Sequence, residues 1–245
     1  MTIKTPYRRI LLKLSGEVLS NKIGSPQAAI SHQACQNIAH SIKALRDFGM
    51  QVAIVIGGGN IFRGIQAKDL GLQRTPADQM GMLATLLNGI ALQQALQALK
   101  CPTRVMSALE CPDVAESYNW QRAQAYLDQN EILIFVGGTG NPYFTTDTAA
   151  ALRASEIQAD ILFKATKVDG IYNKDPLKYP DARKYETISY SQVLAEKLEV
   201  MDATSIALCM QSKIPILVFN MQRLDAKNIE QFLTNQQQGT LVTGN

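Results

Sequence analysis

QVAIVIGGGNIFRG, residues 51–64, is the stretch that decides the fold. Its first six residues are almost wholly apolar and rich in β-branched side chains. No polar face alternates with them, so they read as a strand covered on both sides, the pattern of a parallel sheet between helices. The strand stops at Gly57-Gly58-Gly59. Three successive glycines remove every Cβ at the turn, so that several N–H groups can share one concavity suited to an anion. Arg63 adds a fork of donors that matches phosphate. A glycine turn that only joins a strand to a helix would look the same, so the weight comes from what surrounds it.

Outward from this stretch, short apolar runs alternate with amphipathic ones. Strands are expected at 10–14, 51–56, 103–106, 131–136, 161–164 and 216–219, and helices at 31–48, 78–100, 120–128, 147–157, 191–198, 203–213 and 226–232. This alternation predicts an α/β fold: an open, mostly parallel sheet sandwiched by helices. The polar stretch 172–189 and the change in loop character place a boundary near residue 160, dividing the chain into lobes 1–160 and 161–245. Ligands of open α/β sheets bind beyond the carboxyl ends of the strands. Here those ends carry Lys13-Leu14-Ser15-Gly16, the glycines 57–59, Gly137-Gly138-Thr139-Gly140-Asn141 and Lys164-Ala165-Thr166-Lys167. Four such loops on one edge mean more than any one of them.

Composition narrows the class. The 245 residues are 46% hydrophobic and 18% charged, enough for a large core. A net charge of +3 with scattered basic residues suits a protein that handles anions and argues against nucleic acid as primary partner. The four cysteines are far apart, the pattern of free thiols in a reducing compartment. His32, Cys35 and His40 do not share a helix face, so they are read as structural and no metal-binding residue is named. No apolar run approaches the length of a membrane span, which makes the cytoplasm the expected location.

Two residues stand out chemically. Lys13 interrupts an apolar strand, an expensive position unless its ammonium finds a partner. It could snorkel at the strand end, but beside Gly16 and two glycine loops a phosphate is the better partner. Asp78, near the start of a long helix, could be its cap or an acceptor for ribose hydroxyls. The segment 139–147, TGNPYFTTD, combines amide, hydroxyls and two aromatic rings just before a helix. Thr145, Thr146 or Asp147 could cap that helix, and hydroxyls with helix N–H groups bind small anions. No Gly-x-x-x-x-Gly-Lys-Ser/Thr element occurs, which disfavours Walker-type kinases, and no Gly-x-Gly-x-x-Gly follows the first strand.

Taken in order, LLKLSGE at 11–17, the loop 56–64, GMLAT at 81–85, the segment 138–147, KATKVDG at 164–170, Val200-Met201-Asp202 and VFNM at 218–221 resemble bacterial uridylate (UMP) kinases. The resemblance spans nearly the whole chain. It implies the amino acid kinase-like α/β/α sandwich and phosphorylation of UMP by ATP with Mg²⁺. It also implies a homohexamer inhibited by UTP. By matching position, ATP contacts would be Lys13, Leu14, Ser15, Gly16, Gly59, Arg63, Thr166, Tyr172 and Asp175. UMP contacts would be Gly58, Asp78, Thr139, Gly140, Asn141, Pro142, Tyr143, Phe144, Thr145 and Thr146. The catalytic set would be Lys13, Arg63, Asp147 and Lys164, with Asp147 either holding a lysine or only capping its helix. The 1–160 lobe would be the acceptor side and 161–245 the ATP side.

Two departures accompany the resemblance. Segment 18–27 lacks the Gly-Phe-Gly-type sequence of the family's GTP-responsive region, which argues against a GTP effector, and Tyr143 stands where phenylalanine is usual. A carboxylate or carbamate kinase of the same fold would need cations where Asp78 and 139–146 stand. A non-catalytic nucleotide or oxyanion sensor would have less need of Lys13 and Arg63.

Overall fold

The apolar runs become the middle of one nine-stranded sheet. The computed structural model describes residues 6–20, 28–63, 70–176, 178–198, 200–234 and 238–244. Its strands are β1 (Arg9–Leu14), β2 (Gln51–Ile56), β3 (Thr103–Ser107), β4 (Glu116–Ser117), β5 (Ile132–Val136), β6 (Ile161–Thr166), β7 (Thr187–Ser189), β8 (Ile216–Asn220) and β9 (Gly239–Thr243). They lie in the order β4-β3-β5-β2-β1-β6-β8-β9-β7. Every neighbouring pair is parallel except β8 with β9. The helices are α1 (His32–Asp47), α2 (Arg74–Ala98), α3 (Trp120–Asp128), α4 (Thr146–Glu156), α5 (Tyr190–Ala195), α6 (Ala203–Ser212) and α7 (Ile229–Thr234).

Period-two alternation splits the strand side chains between two layers. Ile10, Leu12, Leu14, Ile54 and Ile56 pack against α1, α2 and α7 through Ile38, Ile42, Leu92, Leu96 and Phe232. Leu11, Val55, Leu133 and Leu162 pack on the other side against α3, α4 and α6. In α4 the contact residues are Ala149, Ala150, Ala151 and Ala154. Such small side chains let this helix lie close to the sheet. Lys13 and Lys164 follow Leu11 and Leu162 by two residues, so both point toward α4.

At the boundary expected near residue 160 the sheet runs on without a break. β1, the innermost strand before it, pairs directly with β6, the first strand after it. The sequence reading missed β4, β7 and β9. Two and three residues are too short for a period to show in β4 and β7, and β9 is a five-residue run flanked by polar residues. It also started the long helix too late. α2 begins at Arg74, and its N-cap Gln73 makes no side-chain capping bond. Asp78 therefore lies inside the helix, and the reading of it as a cap is wrong. α5 is shorter than the expected 191–198. Segment 21–27, which carries the departure from the family pattern, lies outside the described residues.

Candidate functional site

Two strands and one helix end meet at a buried charge cluster. β1 and β6 set Lys13 directly beside Lys164 in register. Each ammonium reaches the same carboxylate oxygen: Lys13 Nζ lies 2.7 Å and Lys164 Nζ 2.6 Å from Asp147 Oδ1. Both lysines are only 8% exposed. Thr145 caps α4, its hydroxyl accepting from Asp147 N at 3.0 Å. The Asp147 side chain is thus free of capping and holds the two lysines instead, and the reading of Asp147 as a cap is also wrong. Burial by itself would raise the Asp147 pKa, but the charges of Lys13 and Lys164 outweigh it and hold the carboxyl below its usual range. Lys164 moves the other way. Burial first, then repulsion from Lys13, pull its ammonium down to about 8, against the opposing pull of Asp147. A second carboxylate steadies the helix end: Asp202, the cap of α6, accepts from the hydroxyls of Thr145 and Thr148.

The glycine loop after β2 is less open than its composition implies. Gly57 N donates to Leu14 O at 2.9 Å, so that N–H extends the sheet and does not face a ligand. Gly58 is required for close approach: a Cβ there would lie 2.7 Å from Gly81 O and 2.8 Å from the Ala84 Cβ. The loop after β5 is where left-handed backbone is used, at Gly137, Gly138 and Gly140 with φ of 77°, 59° and 81°. A cavity of about 360 Å³ opens between these two loops and α2, lined by Gly58, Gly59, Arg63, Asp78, Phe144, Thr145 and Thr146 among others. Thr139, Gly140, Asn141, Pro142 and Tyr143 form the outer arm of the β5 loop and do not line it. Asp78 ties that arm down. Its Oδ2 accepts from Tyr143 N at 2.7 Å and from Arg74 Nε at 2.8 Å, while the Arg74 guanidinium stands 5.2 Å from the centre of the Tyr143 ring.

On the other side of β1, a cavity of about 490 Å³ lies past β6 and is lined by Thr166, Tyr172, Asp175, Gly170, Val200 and Val218 with neighbouring residues. Tyr172 donates to Asp169 Oδ1 at 2.7 Å, and Lys184 Nζ lies 3.2 Å from Asp169 Oδ2. Sheet order places Lys13 on β1, between the β2–β5 cavity and the β6–β8 cavity. Leu14 is fully buried, and Ser15 caps the short 3-10 turn Gly16–Leu19 through Glu17 N. At the mouth, Glu17 pairs with Arg63 and with Lys167, the latter at 2.6 Å. Arg63 Nε also donates to Gly59 O at 2.8 Å.

The structure therefore gathers Gly58, Gly59, Arg63, Asp78, Phe144, Thr145 and Thr146 on one cavity and Thr166, Tyr172 and Asp175 on another. Lys13, Asp147 and Lys164 stand between. His32 and His40 are exposed while Cys35 is buried in the core. A cleft of about 460 Å³ beside Arg104 and Glu131 lies at the β3–β4 end of the sheet, remote from the lysines. Sequence reasoning assigned no role to Glu17, Asn60, Thr85, Lys167 or Asp202, although it quoted all five, and it overlooked Asn88. An Asn in the middle of a long helix pattern was the available signal, but its burial shows only in the fold.

A parallel sheet with glycine- and lysine-bearing loops at its carboxyl edge, and a cavity on either side of a buried lysine pair, defines a class of α/β protein suited to handling phosphates. The family model that matches residues 8–220 is the amino acid kinase family, and the chain belongs to that family. Within it, the chain is 65% identical over 235 residues to a uridylate kinase of Protochlamydia amoebophila, covering 96% of this chain and 92% of that one. Solved structures agree. The UMP kinase from Bacillus anthracis superposes with a TM-score of 0.91 at 35% identity, covering 97% of this chain and 96% of that one. The UMP kinase from Ureaplasma parvum does so with a TM-score of 0.88 at 38% identity, covering 97% and 99%.

Proposed function

We propose that this protein transfers the γ-phosphoryl group of ATP to UMP, giving UDP and ADP. The observation that carries the proposal is the Lys13–Asp147–Lys164 cluster between two cavities, in a chain 65% identical to a uridylate kinase over nearly its full length. UMP occupies the 360 Å³ cavity and ATP the 490 Å³ cavity, so that the lobe 1–160 serves the acceptor and 161–245 the donor. An oxygen of the UMP phosphate attacks the γ-phosphorus, the bond to the ADP oxygen breaks, and ADP leaves. With a second pKa of roughly 6 the UMP phosphate is mostly dianionic at pH 7, so no general base is needed. The task is to hold two anions together. Two lysines and one aspartate leave a formal charge of +1 at the meeting point, and Arg63 adds another cation at the mouth. Asp147 keeps the lysines charged and aimed.

Among the described residues, no group of three or more His, Cys, Asp or Glu could hold a metal ion. Asp147 and Glu17 are each engaged with two cations. Mg²⁺ is expected as part of the MgATP substrate, carried on phosphates and water. UTP shares the uracil and the polyphosphate and would inhibit by competition. Met80, Leu83 and Leu87 are 39%, 50% and 52% exposed on one face of α2, an apolar stripe that supports self-assembly, expected as a homohexamer. No helix among the described residues is long and apolar enough to cross a membrane. The expected place of action is the cytoplasm, on pyrimidine nucleotides.

A coupled ADP-release assay with UMP, CMP, dUMP, AMP and small carboxylates tests the reading. UMP is the expected acceptor, with CMP and dUMP much poorer. Equal turnover of AMP, or none of UMP, would overturn it.

A further inference from the structure

The inner face of α2 carries polar residues where a helix packed on a sheet would ordinarily carry apolar ones. Thr85 is 2% exposed and Asn88 is fully buried, both in the interior of a helix 25 residues long. Neither residue type favours a helix interior, and a buried amide is costly unless each of its groups is bonded. Both are bonded, and all but one of the partners lie on loops. Asn88 Nδ2 donates to Gly57 O and to Asn60 Oδ1, each at 2.7 Å, and Asn88 Oδ1 accepts from Asn60 Nδ2 at 3.0 Å. Asn60 Nδ2 also reaches Ala29 O at 2.6 Å, ahead of α1. Thr85 Oγ1 accepts from Gly137 N at 2.7 Å and donates to Met82 O.

These bonds stand where the loops converge. A Cβ on Gly16 would lie 2.5 Å from Gly57 O and 2.8 Å from Asn88 Nδ2, so the loop after β1 presses onto the same amide. One stripe of α2 thus fixes the loops that follow β1, β2 and β5. With 3.6 residues per turn, Asp78, Thr85 and Asn88 fall within a quarter of the helix circumference. Asp78 holds the arm of the β5 loop from the same stripe.

We propose that Thr85 and Asn88 are positioning residues, which set the glycine loops relative to one another and so set the acceptor phosphate relative to the donor. The inference rests on the phosphotransfer reading above. Asn88 lines neither cavity, and although Thr85 lines the acceptor cavity, its hydroxyl is engaged with Gly137 N and Met82 O. Their effect arises because transfer depends steeply on geometry: a displacement of about 1 Å can cost about 10²-fold in rate. The two residues act on different sides. Thr85 holds only the β5 loop, which leads to the acceptor. Asn88 holds the crossing of the β1 and β2 loops, which both substrates share.

The test is the split between kinetic constants, which a merely structural role would not produce. Thr85→Val keeps the shape and removes the acceptor for Gly137 N; it should raise KM for UMP about five- to tenfold and leave KM for ATP within twofold. Asn88→Ala should lower kcat at least tenfold. Because it empties a buried site, Asn60→Ala is measured beside it. Asn60 is half-buried on a loop, and its loss removes the partner of Asn88 while α2 stays intact, so it should also lower kcat severalfold. All variants are assayed well below their own melting temperatures. The inference is overturned if kcat and both KM values of Thr85→Val and Asn60→Ala stay within twofold of the unmodified protein, or if Thr85→Val raises both KM values alike. UMP turnover by the unmodified protein tests the functional reading separately. If that turnover is absent, calorimetric titration of UMP and of ATP alone applies the same split to Kd.

Discussion

Two charge clusters, which share the segment from Lys13 to Glu17, have the same formula and opposite surroundings. Lys13, Asp147 and Lys164 make one; Arg63, Glu17 and Lys167 make the other. Each sets one carboxylate between two cations. In the first, the lysine side chains are 10% and 11% exposed; in the second, the Arg63 and Lys167 side chains are 55% and 74% exposed. Burial decides what each can do. In the closed cluster the ions are poorly screened, each needs its partner, and their positions are fixed by β1, β6 and α4. In the open cluster water and salt compete with every pair, so the long cationic side chains can exchange Glu17 for an incoming phosphate at little cost. On the proposed function, the closed cluster would define the place of transfer and the open one would receive what arrives.

The comparison breaks most sharply at Asp147. Asp147→Asn leaves two buried ammonium groups without a counter-charge. Removing one partner of a buried ion pair costs about 3–5 kcal/mol, which for a chain of this size lowers Tm by on the order of 10 °C. Differential scanning calorimetry checks it. A Tm within 2 °C of the unmodified protein would show that the site is wetter than its burial implies.

Lys13→Met should do the reverse. It leaves Asp147 and Lys164 as a neutral buried pair, so the fold keeps its stability. Catalysis loses a charge aimed at the transferring group, typically worth ~10²–10³ in kcat. Measured together, kcat and Tm should separate: a collapse of the first with little change in the second. An active variant would return Lys13 to a purely structural part.

Much of this was legible in the sequence, for physical reasons that can be named. Apolar runs without alternation marked the buried parallel strands, and glycines marked where backbones approach closely. Lys13 was conspicuous because an ammonium in such a run needs a partner. What stayed hidden was which partner. Nothing local connects Lys13 with Asp147, 134 positions on; register between β1 and β6 and the alanine face of α4 bring them together. Asp78 and Asp147 looked like caps because each stands near a helix start, and cap geometry depends on one or two residues of boundary. Asn88 was hidden by its neighbours, since an Asn amid an apolar helix pattern reads as an exposed position until the helix is docked.

The buried cluster should also declare itself in pH dependence. The Lys164 pKa is depressed to about 8 by burial and then by Lys13. Between that value and the unfolded lysine value of about 10.4 the unfolded chain binds more protons. This residue's contribution to stability therefore rises with pH through that window. Activity moves the other way, because the charge needed for transfer is lost above pH 8. Expected is a fall in kcat/KM of about tenfold per pH unit beyond that point. Lys164→Arg, which stays protonated, should abolish the limb even if its rate is lower. A profile flat to pH 10 would show that Lys164 is either fully charged throughout or not required.

The smallest expected effect belongs to the open cluster and tests the contrast from its other side. Glu17→Gln removes the carboxylate between Arg63 and Lys167. Exposed pairs are worth ~0.2–1 kcal/mol, so Tm should shift by less than about 4 °C. The change should also fade with salt, since the screening length falls from about 10 Å at 0.1 M to about 3 Å at 1 M. KM for ATP should drop, by less than about threefold, because two cations that had been shared with Glu17 are left to the polyphosphate. Both measurements are made at low and high NaCl, with Asp147→Asn in parallel. Its loss should persist at 1 M, because salt does not reach a carboxylate enclosed by two lysines. If Glu17→Gln instead costs as much as Asp147→Asn, and does so at either salt concentration, Glu17 belongs with the fixed machinery. Its exposed cations would then be held by more than their charge.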